Sequence, residues 1–186
     1  GLIFLFSCED EMNYTETTSN SKEEVFSSFS RTAEFVTDIY GRLDFDYGNF
    51  DGAMLASASD EADYAWSSSS IHDFYNGSWS PINPKSSTWS NSYAGIRAAN
   101  FYLEASKDQT FEGNKYDQNY EEQFVRFQRY QYEVRFLRAY FYFNLVKQYG
   151  DVPLVTTVLT SEEANSVSRD PYQDVFEFIV DECDAI

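Results

Sequence analysis

The chain has 186 residues, 42% of them hydrophobic, enough for one domain with its own core. Its 31 acidic against 13 basic residues give a net charge of −18. That excludes the basic footprint nucleic acid demands, repels anionic headgroups, and leaves a neutral or cationic partner compatible.

The first elements read as processing and tethering signals. Residues 1–7 are mostly apolar but too short to span a bilayer, and they read as the tail of a secretory h-region. Their end, Leu5-Phe6-Ser7-Cys8, resembles a bacterial lipobox, although Phe6 is bulkier than the usual residue there. In lipoproteins that cysteine is lipidated and becomes the mature N-terminus, so Cys8 is the expected lipid anchor. A buried N-terminal strand with an ordinary thiol is the alternative. Residues 9–22 carry no aliphatic side chain except Met12, a composition that cannot offset its ordering entropy and reads as a flexible tether. The expected division is therefore 1–8 signal remnant, 9–22 tether, and 23–186 the folded part, anchored to a membrane that it does not cross.

Ser21-Lys22-Glu23-Glu24 is a capping-box pattern opening an amphipathic helix. Its apolar stripe is Val25, Phe29, Ala33, Val36 and Ile39-Tyr40. Residues 44–87 lose that period, are rich in Ser, Gly, Asn and Asp, and read as long loops. Within them, 44–52 invites a calcium reading but fails the EF-hand pattern: Gly48 and Asn49 hold the fifth and sixth positions and Leu55 replaces the closing Glu. A looser calcium site is the only form of that reading left.

A second helix is predicted from Ser87 or Thr88 to Ser106, with Trp89, Tyr93, Ile96, Asn100 and Leu103 on one face. The longest helix is predicted from Tyr120 to Tyr149, stopped by Gly150 and Pro153. Residues 152–159 read as extended. Asp170-Pro171 is expected to open a last helix as N-cap and N1, with Val175, Phe178 and Ile179 as its apolar face. Ile186 falls inside that helix, so the chain reads as part of a longer protein.

Two cysteines, Cys8 and Cys183, and one histidine, His72, exclude a disulfide framework, a Cys/His zinc site and most histidine chemistry. No metal and no cofactor is implied. Tyr and Trp combine an apolar body with a polar tip, which suits exposed recognition surfaces as well as cores. Sugars offer C–H faces that lie on aromatic rings and hydroxyls that hydrogen-bond. The 60–79 loop supplies both partners, and its candidate ligand contacts are Trp66, Trp79, Tyr75, Asp60 and Asn76. Against this stands a structural reading: the aromatics pin the loop to the helical body, and Asp60-Glu61 cap or bond loop backbone. Trp89, Tyr93 and Asn100 read as core, Arg135 and Arg138 as buried hydrogen-bonding posts, and His72 as an ordinary loop residue.

Several stretches together resemble the SusD/RagB family. They are Ser59-Asp60-Glu61; Tyr75-Asn76-Gly77-Ser78-Trp79; and the run from Trp89 through Tyr93, Ile96 and Ala99-Asn100-Phe101-Tyr102-Leu103-Glu104. Glu133 through Tyr142 follows, containing Arg135 and Arg138, then Tyr149-Gly150-Asp151-Val152-Pro153-Leu154-Val155, Arg169, and Tyr172 with Val175-Phe176 and Ile179. Val134 and the Glu182-Cys183-Asp184 run depart from the family pattern. Glu9-Asp10-Glu11 after Cys8 also resembles the surface-export signal of Bacteroidetes lipoproteins.

The resemblance implies a mainly α fold with tetratricopeptide-like helix pairs and long ligand-face loops. It implies a cell-surface lipoprotein of the outer membrane that captures oligosaccharide, or peptide in some members, without catalysis. Its implied partner is a SusC-like TonB-dependent barrel. A glycoside hydrolase using paired carboxylates and a protein-binding helical adaptor are the competing readings.

Overall fold

The computed structural model describes residues 21–43, 49–85 and 87–186. Cys8 and residues 9–20 of the expected tether lie outside the described residues, while Ser21 and Lys22, its last two, are the cap and first residue of α1. The fold is mainly α, as expected. Its helices are α1 (Lys22–Val25), α2 (Phe29–Tyr40), α3 (Trp89–Ala105), α4 (Tyr120–Tyr149), α5 (Ser161–Ser166) and α6 (Tyr172–Asp184). A two-stranded hairpin, β1 (Asn49–Phe50) and β2 (Ala53–Met54), stands between α2 and α3.

The predicted first helix is two helices. Ser21 caps α1 by accepting from the Glu24 backbone N–H, and Ser28 restarts the chain by accepting from that of Arg31. Ser28 competes for backbone hydrogen bonds in a way that favours a cap over a helix interior. Thr32, fully buried, donates its hydroxyl across the break to the Val25 carbonyl at 3.0 Å. Most of the stripe holds: Val25, Phe29, Val36 and Ile39 are buried and Ala33 half-buried, whereas Tyr40 is exposed.

α4 has the predicted bounds. Glu121 and Glu122 lie in its first turn and Lys147 in its last, each favourable to the helix dipole. Gly150 ends it with φ 69°, a conformation open to glycine at little cost. α3 runs antiparallel to it, with Gly95 meeting Phe141 and Asn100 meeting Arg138. Between them lie Ile96, Tyr102, Leu137, Phe141, Tyr142 and Leu145, each at most 1% exposed. Each such side chain contributes about 1.5–3 kcal/mol by leaving water.

α6 covers the next face of α4, also antiparallel. Tyr142 meets Phe178 edge-on, and Glu182 is reached by two arginines of α4. Arg138 donates to Glu182 Oε2 at 2.7 and 3.0 Å and to Asn100 Oδ1 at 2.7 Å. Arg135 donates to Glu182 Oε1 at 2.9 and 3.1 Å. Asn100 in turn donates to the carbonyls of Val155 and Thr157. The two arginines are thus hydrogen-bonding posts as predicted, and Asn100 is buried as predicted. They tie α3, α4, α6 and the extended segment into one network.

Two departures concern the last third of the chain. Asp170 does not cap α6: its carboxylate accepts from the Leu154 backbone N–H at 2.7 Å, and Pro171 takes the cap position. α5 lies where no helix is predicted, yet Thr160 and Glu163 form a full capping box around its first turn.

Two tyrosines of this core make a sharp comparison. The Tyr142 hydroxyl accepts from the Val155 N–H at 2.6 Å and donates to the Val155 carbonyl at 2.8 Å. The Tyr102 hydroxyl is buried without a partner among the described residues. Burial pushes both phenols well above their ordinary range. Tyr142→Phe is expected to lose about 1–3 kcal/mol, because a buried N–H and a carbonyl lose their partner. Tyr102→Phe should cost nothing or gain up to about 1 kcal/mol, since it removes only an uncompensated polar atom. Urea unfolding of the two variants checks the pair.

Candidate ligand-binding loop

The segment 49–85 builds a surface from short-range pieces. Phe50-Asp51-Gly52-Ala53 is a two-residue hairpin turn with φ 49° at Asp51 and 84° at Gly52, the left-handed pair that matches strand twist. The turn sends Asp51 back onto the chain nineteen residues later. Its carboxylate accepts from the Ser70 N–H at 2.6 Å and from the Ser70 hydroxyl at 2.9 Å, while Ser69 donates to its carbonyl. The bonds from Ser70 hold the Asp51 carboxyl below its ordinary range. Asp51 is therefore a clip, which removes it from the calcium reading. Residues 44–48 of that motif lie outside the described residues, and among the described residues no cluster could hold a metal ion.

Beneath the clip is a small apolar centre separate from the helical core. Ala53 and Ile71 are fully buried there. Phe50 packs edge-on against Phe74, and Phe74 packs against Trp79. Lys85 closes the far end on Asp73 at 2.7 Å. Lys85 first, and then Asn76, lowers the Asp73 carboxyl. His72 serves the loop's own structure: Nε2 meets the Trp66 carbonyl at 3.0 Å and Nδ1 meets the Tyr75 hydroxyl. Since a carbonyl can only accept, the neutral ring carries its proton on Nε2 and accepts from Tyr75 on Nδ1. These ring contacts and side-chain bonds all run within the loop.

The five candidate contacts fall unequally on this surface. Trp66 is 70% exposed, and Tyr75 and Trp79 are each 55% exposed. These rings face water on a scaffold that holds their backbones, and Trp79 is pinned to Phe74 of the loop. Asp60 and Tyr75 come together around a shallow hollow of about 420 Å³, with Ser59, Ala62 and Asp63. Asp60 and Glu61 are exposed, and among the described residues the local backbone bond is made by Ser59, whose hydroxyl accepts from the Glu61 N–H. Asn76 is committed to the loop, its amide donating to Asp73 and accepting from the Ser78 N–H. One lone pair and one N–H of that amide remain for other partners.

A larger hollow of about 830 Å³ lies elsewhere, between α3 and α4, over Tyr102, Phe124 and Phe127 and beside Arg135 and Arg138. Its arginines are engaged with Glu182, and it presents no exposed tryptophan. The loop differs from it in carrying three exposed aromatic rings, Trp66, Tyr75 and Trp79.

The chain matches the SusD-like family model described as "Starch-binding associating with outer membrane" over residues 10–185. It belongs to that SusD-like family. No curated protein matches it. Among solved structures, a "Laminarin binding SusD-like protein" matches at 28% identity and a TM-score of 0.61, covering 84% of this chain and 32% of its own. A SusD-like carbohydrate-binding protein of Bacteroides fragilis NCTC 9343 matches at 24% identity and TM-score 0.62, over 84% of this chain and 30% of its own. A further SusD-like protein of that strain matches at 23% identity and TM-score 0.57, over 87% and 29%. The chain thus spans about a third of the length of these relatives. No helix among the described residues is long and apolar enough to cross a membrane.

Proposed function

We propose that this protein captures oligosaccharide at the cell surface through the loop face carrying Trp66, Tyr75 and Trp79. The observation that carries the reading is the combination of ring exposure with backbone restraint. Three aromatic rings left in water cost the fold apolar exposure, yet their segment is clipped by Asp51, His72 and Lys85. Such rings lose little further freedom when a sugar face lies on them. Asp60 and the remaining lone pair of Asn76 are placed to accept from hydroxyls. Binding and release suffice for this role, and no catalytic step is assigned.

The membrane arrangement follows from the sequence reading. Cys8 carries the lipid, the residues ahead of the Ser21 cap form the tether, and residues 21–186 are part of a larger SusD-like body. The captured glycan passes to a SusC-like TonB-dependent barrel. The starch-binding description of the family and the laminarin-binding relative support the glycan part of this reading.

Calorimetric titration with laminarin and malto-oligosaccharides tests it. Trp66→Ala together with Trp79→Ala is expected to weaken binding about tenfold or more. The melting temperature should fall little, because both rings are mostly exposed. Absence of saccharide binding by the full-length lipoprotein, across neutral and charged glycans, would overturn the reading. Co-purification of a large barrel from solubilised outer membranes tests the partner separately.

A further inference from the structure

The helix α5 buries none of its residues, although it stands over the body of the molecule. Below it, an apolar hollow of about 260 Å³ opens between α3, the extended segment and α5. Trp89 and Tyr93 form its floor, Pro153 and Leu159 one wall, and Ala164 and Val167 the side facing α5. Ala164 and Val167 remain exposed, so the α5 side of the hollow lacks the packing that core positions receive. The polar atoms at the floor and wall are already used: Tyr93 donates to the Pro153 carbonyl at 2.8 Å, and Arg97 to that of Leu159 at 2.8 Å. What stays open is a ring-sized apolar space.

Two arginines stand beside that space in a chain whose net charge is −18. Arg97 lines it and has no carboxylate partner among the described residues, leaving most of its five N–H donors for another acceptor. Arg169 lies over the Trp89 ring at 5.8 Å and donates to the Asp151 carbonyl. Of the carboxylates nearby, Glu163 is turned onto Thr160 in the capping box and Asp170 accepts from the Leu154 backbone N–H. An apolar body in the hollow would thus place an anionic head against Arg97.

We propose that the hollow between α3 and α5 is a second binding site, for a small apolar or aromatic carboxylate. The volume lies below the roughly 300–1,000 Å³ of drug-sized pockets, so it suits one ring and not an oligosaccharide. Ligand entry completes the packing of α5 against Trp89 and Tyr93. The site is independent of the loop surface and of glycan capture.

The probe is phenylacetate, compared with its neutral isostere phenylacetamide, added to the ¹⁵N-labelled protein. The indole N–H signals of Trp66, Trp79 and Trp89 are assigned by single Trp→Phe variants. Phenylacetate is expected to move the Trp89 signal saturably and leave the other two in place. The amide should bind two- to fivefold more weakly, about the value of an exposed ion pair. Arg97→Gln should remove that difference. Ala164→Phe, a change at an exposed position, should fill the hollow and abolish the Trp89 response while the protein stays folded. A Trp89 signal that does not respond, equal binding of acid and amide, or a response that survives in Ala164→Phe would each overturn the proposal.

Discussion

Glu182→Ala is expected to cost about 3–5 kcal/mol, the range for breaking a buried ion pair by removing one partner. The carboxylate is 4% exposed and serves two guanidiniums, one through each oxygen. Arg138 is itself 8% exposed, with the Phe178 ring 5.2 Å from its guanidinium carbon. Removing the acid leaves that cation buried with Asn100 as its one remaining polar partner in the network. Asn100 holds the carbonyls of Val155 and Thr157, so the disturbance reaches the extended segment as well as α6. Arg135, a third exposed by its side chain, can turn to water and contributes less. The double variant Arg138→Met with Glu182→Leu should be more stable than Glu182→Ala alone, because it removes both charges together. Equilibrium urea unfolding reads both. A loss below about 1 kcal/mol for Glu182→Ala would mean that the pair behaves as a solvated surface bridge.

Gly95→Val is expected to lose about 1–3 kcal/mol despite replacing a glycine inside a helix. Two effects oppose one another. A glycine in a helix interior costs up to about 1 kcal/mol relative to better formers, and valine recovers part of that. A side chain at position 95, however, would run into the Phe141 ring, which is 1% exposed. The ring is buried between α3 and α4, and three of its atoms lie within 2.7 Å of where a Cβ at 95 would stand. Steric overlap therefore outweighs propensity. Gly95→Ala should show the same sign at smaller size, and adding Phe141→Leu should recover part of the loss. Thermal unfolding of the three variants tests the assignment, and an unchanged or higher midpoint for Gly95→Val would refute it.

Legibility of this fold in its sequence follows the range of the forces involved. α4 can be bounded from sequence alone because thirty residues of helical period end at Gly150, with Pro153 just beyond. The faces of α2 and α3 are legible for the same reason. The break at Ser27-Ser28 is not, since two serines between good apolar positions read equally as surface. α5 has a local signal, Thr160 followed by Glu163, but no apolar period to draw attention to it. Asp170-Pro171 looks like a cap because the pair matches one locally. A partner sixteen residues earlier in the chain, the Leu154 N–H, outcompetes it.

The candidate surface shows the same division more strongly. Composition reveals that the 60–79 segment holds tryptophan, tyrosine, asparagine and acid together. It cannot reveal which rings face water, because that depends on Asp51 reaching Ser70 and on His72 joining Trp66 to Tyr75. The Asp51-Gly52 pair is a readable hairpin signal, yet it also completes a calcium-like run of acids and so reads two ways. Arg138 is legible as a buried post and Arg135 as a hydrogen-bonding one that is only half-buried, whereas Glu182, 44 residues from Arg138, is legible only as a departure from a family pattern.

The division between two apolar centres also bears on how such a protein changes over generations. Ile71 and Ala53 stabilise the ligand-facing segment without entering the cluster built by α2, α3, α4 and α6. Substitutions that reshape the outer face around Trp66 and Trp79 therefore leave the helical scaffold's stability largely untouched. If the proposed loop surface binds glycan, its preference can drift, or be exchanged by grafting residues 49–85, while the helical scaffold stays under a separate selection for packing.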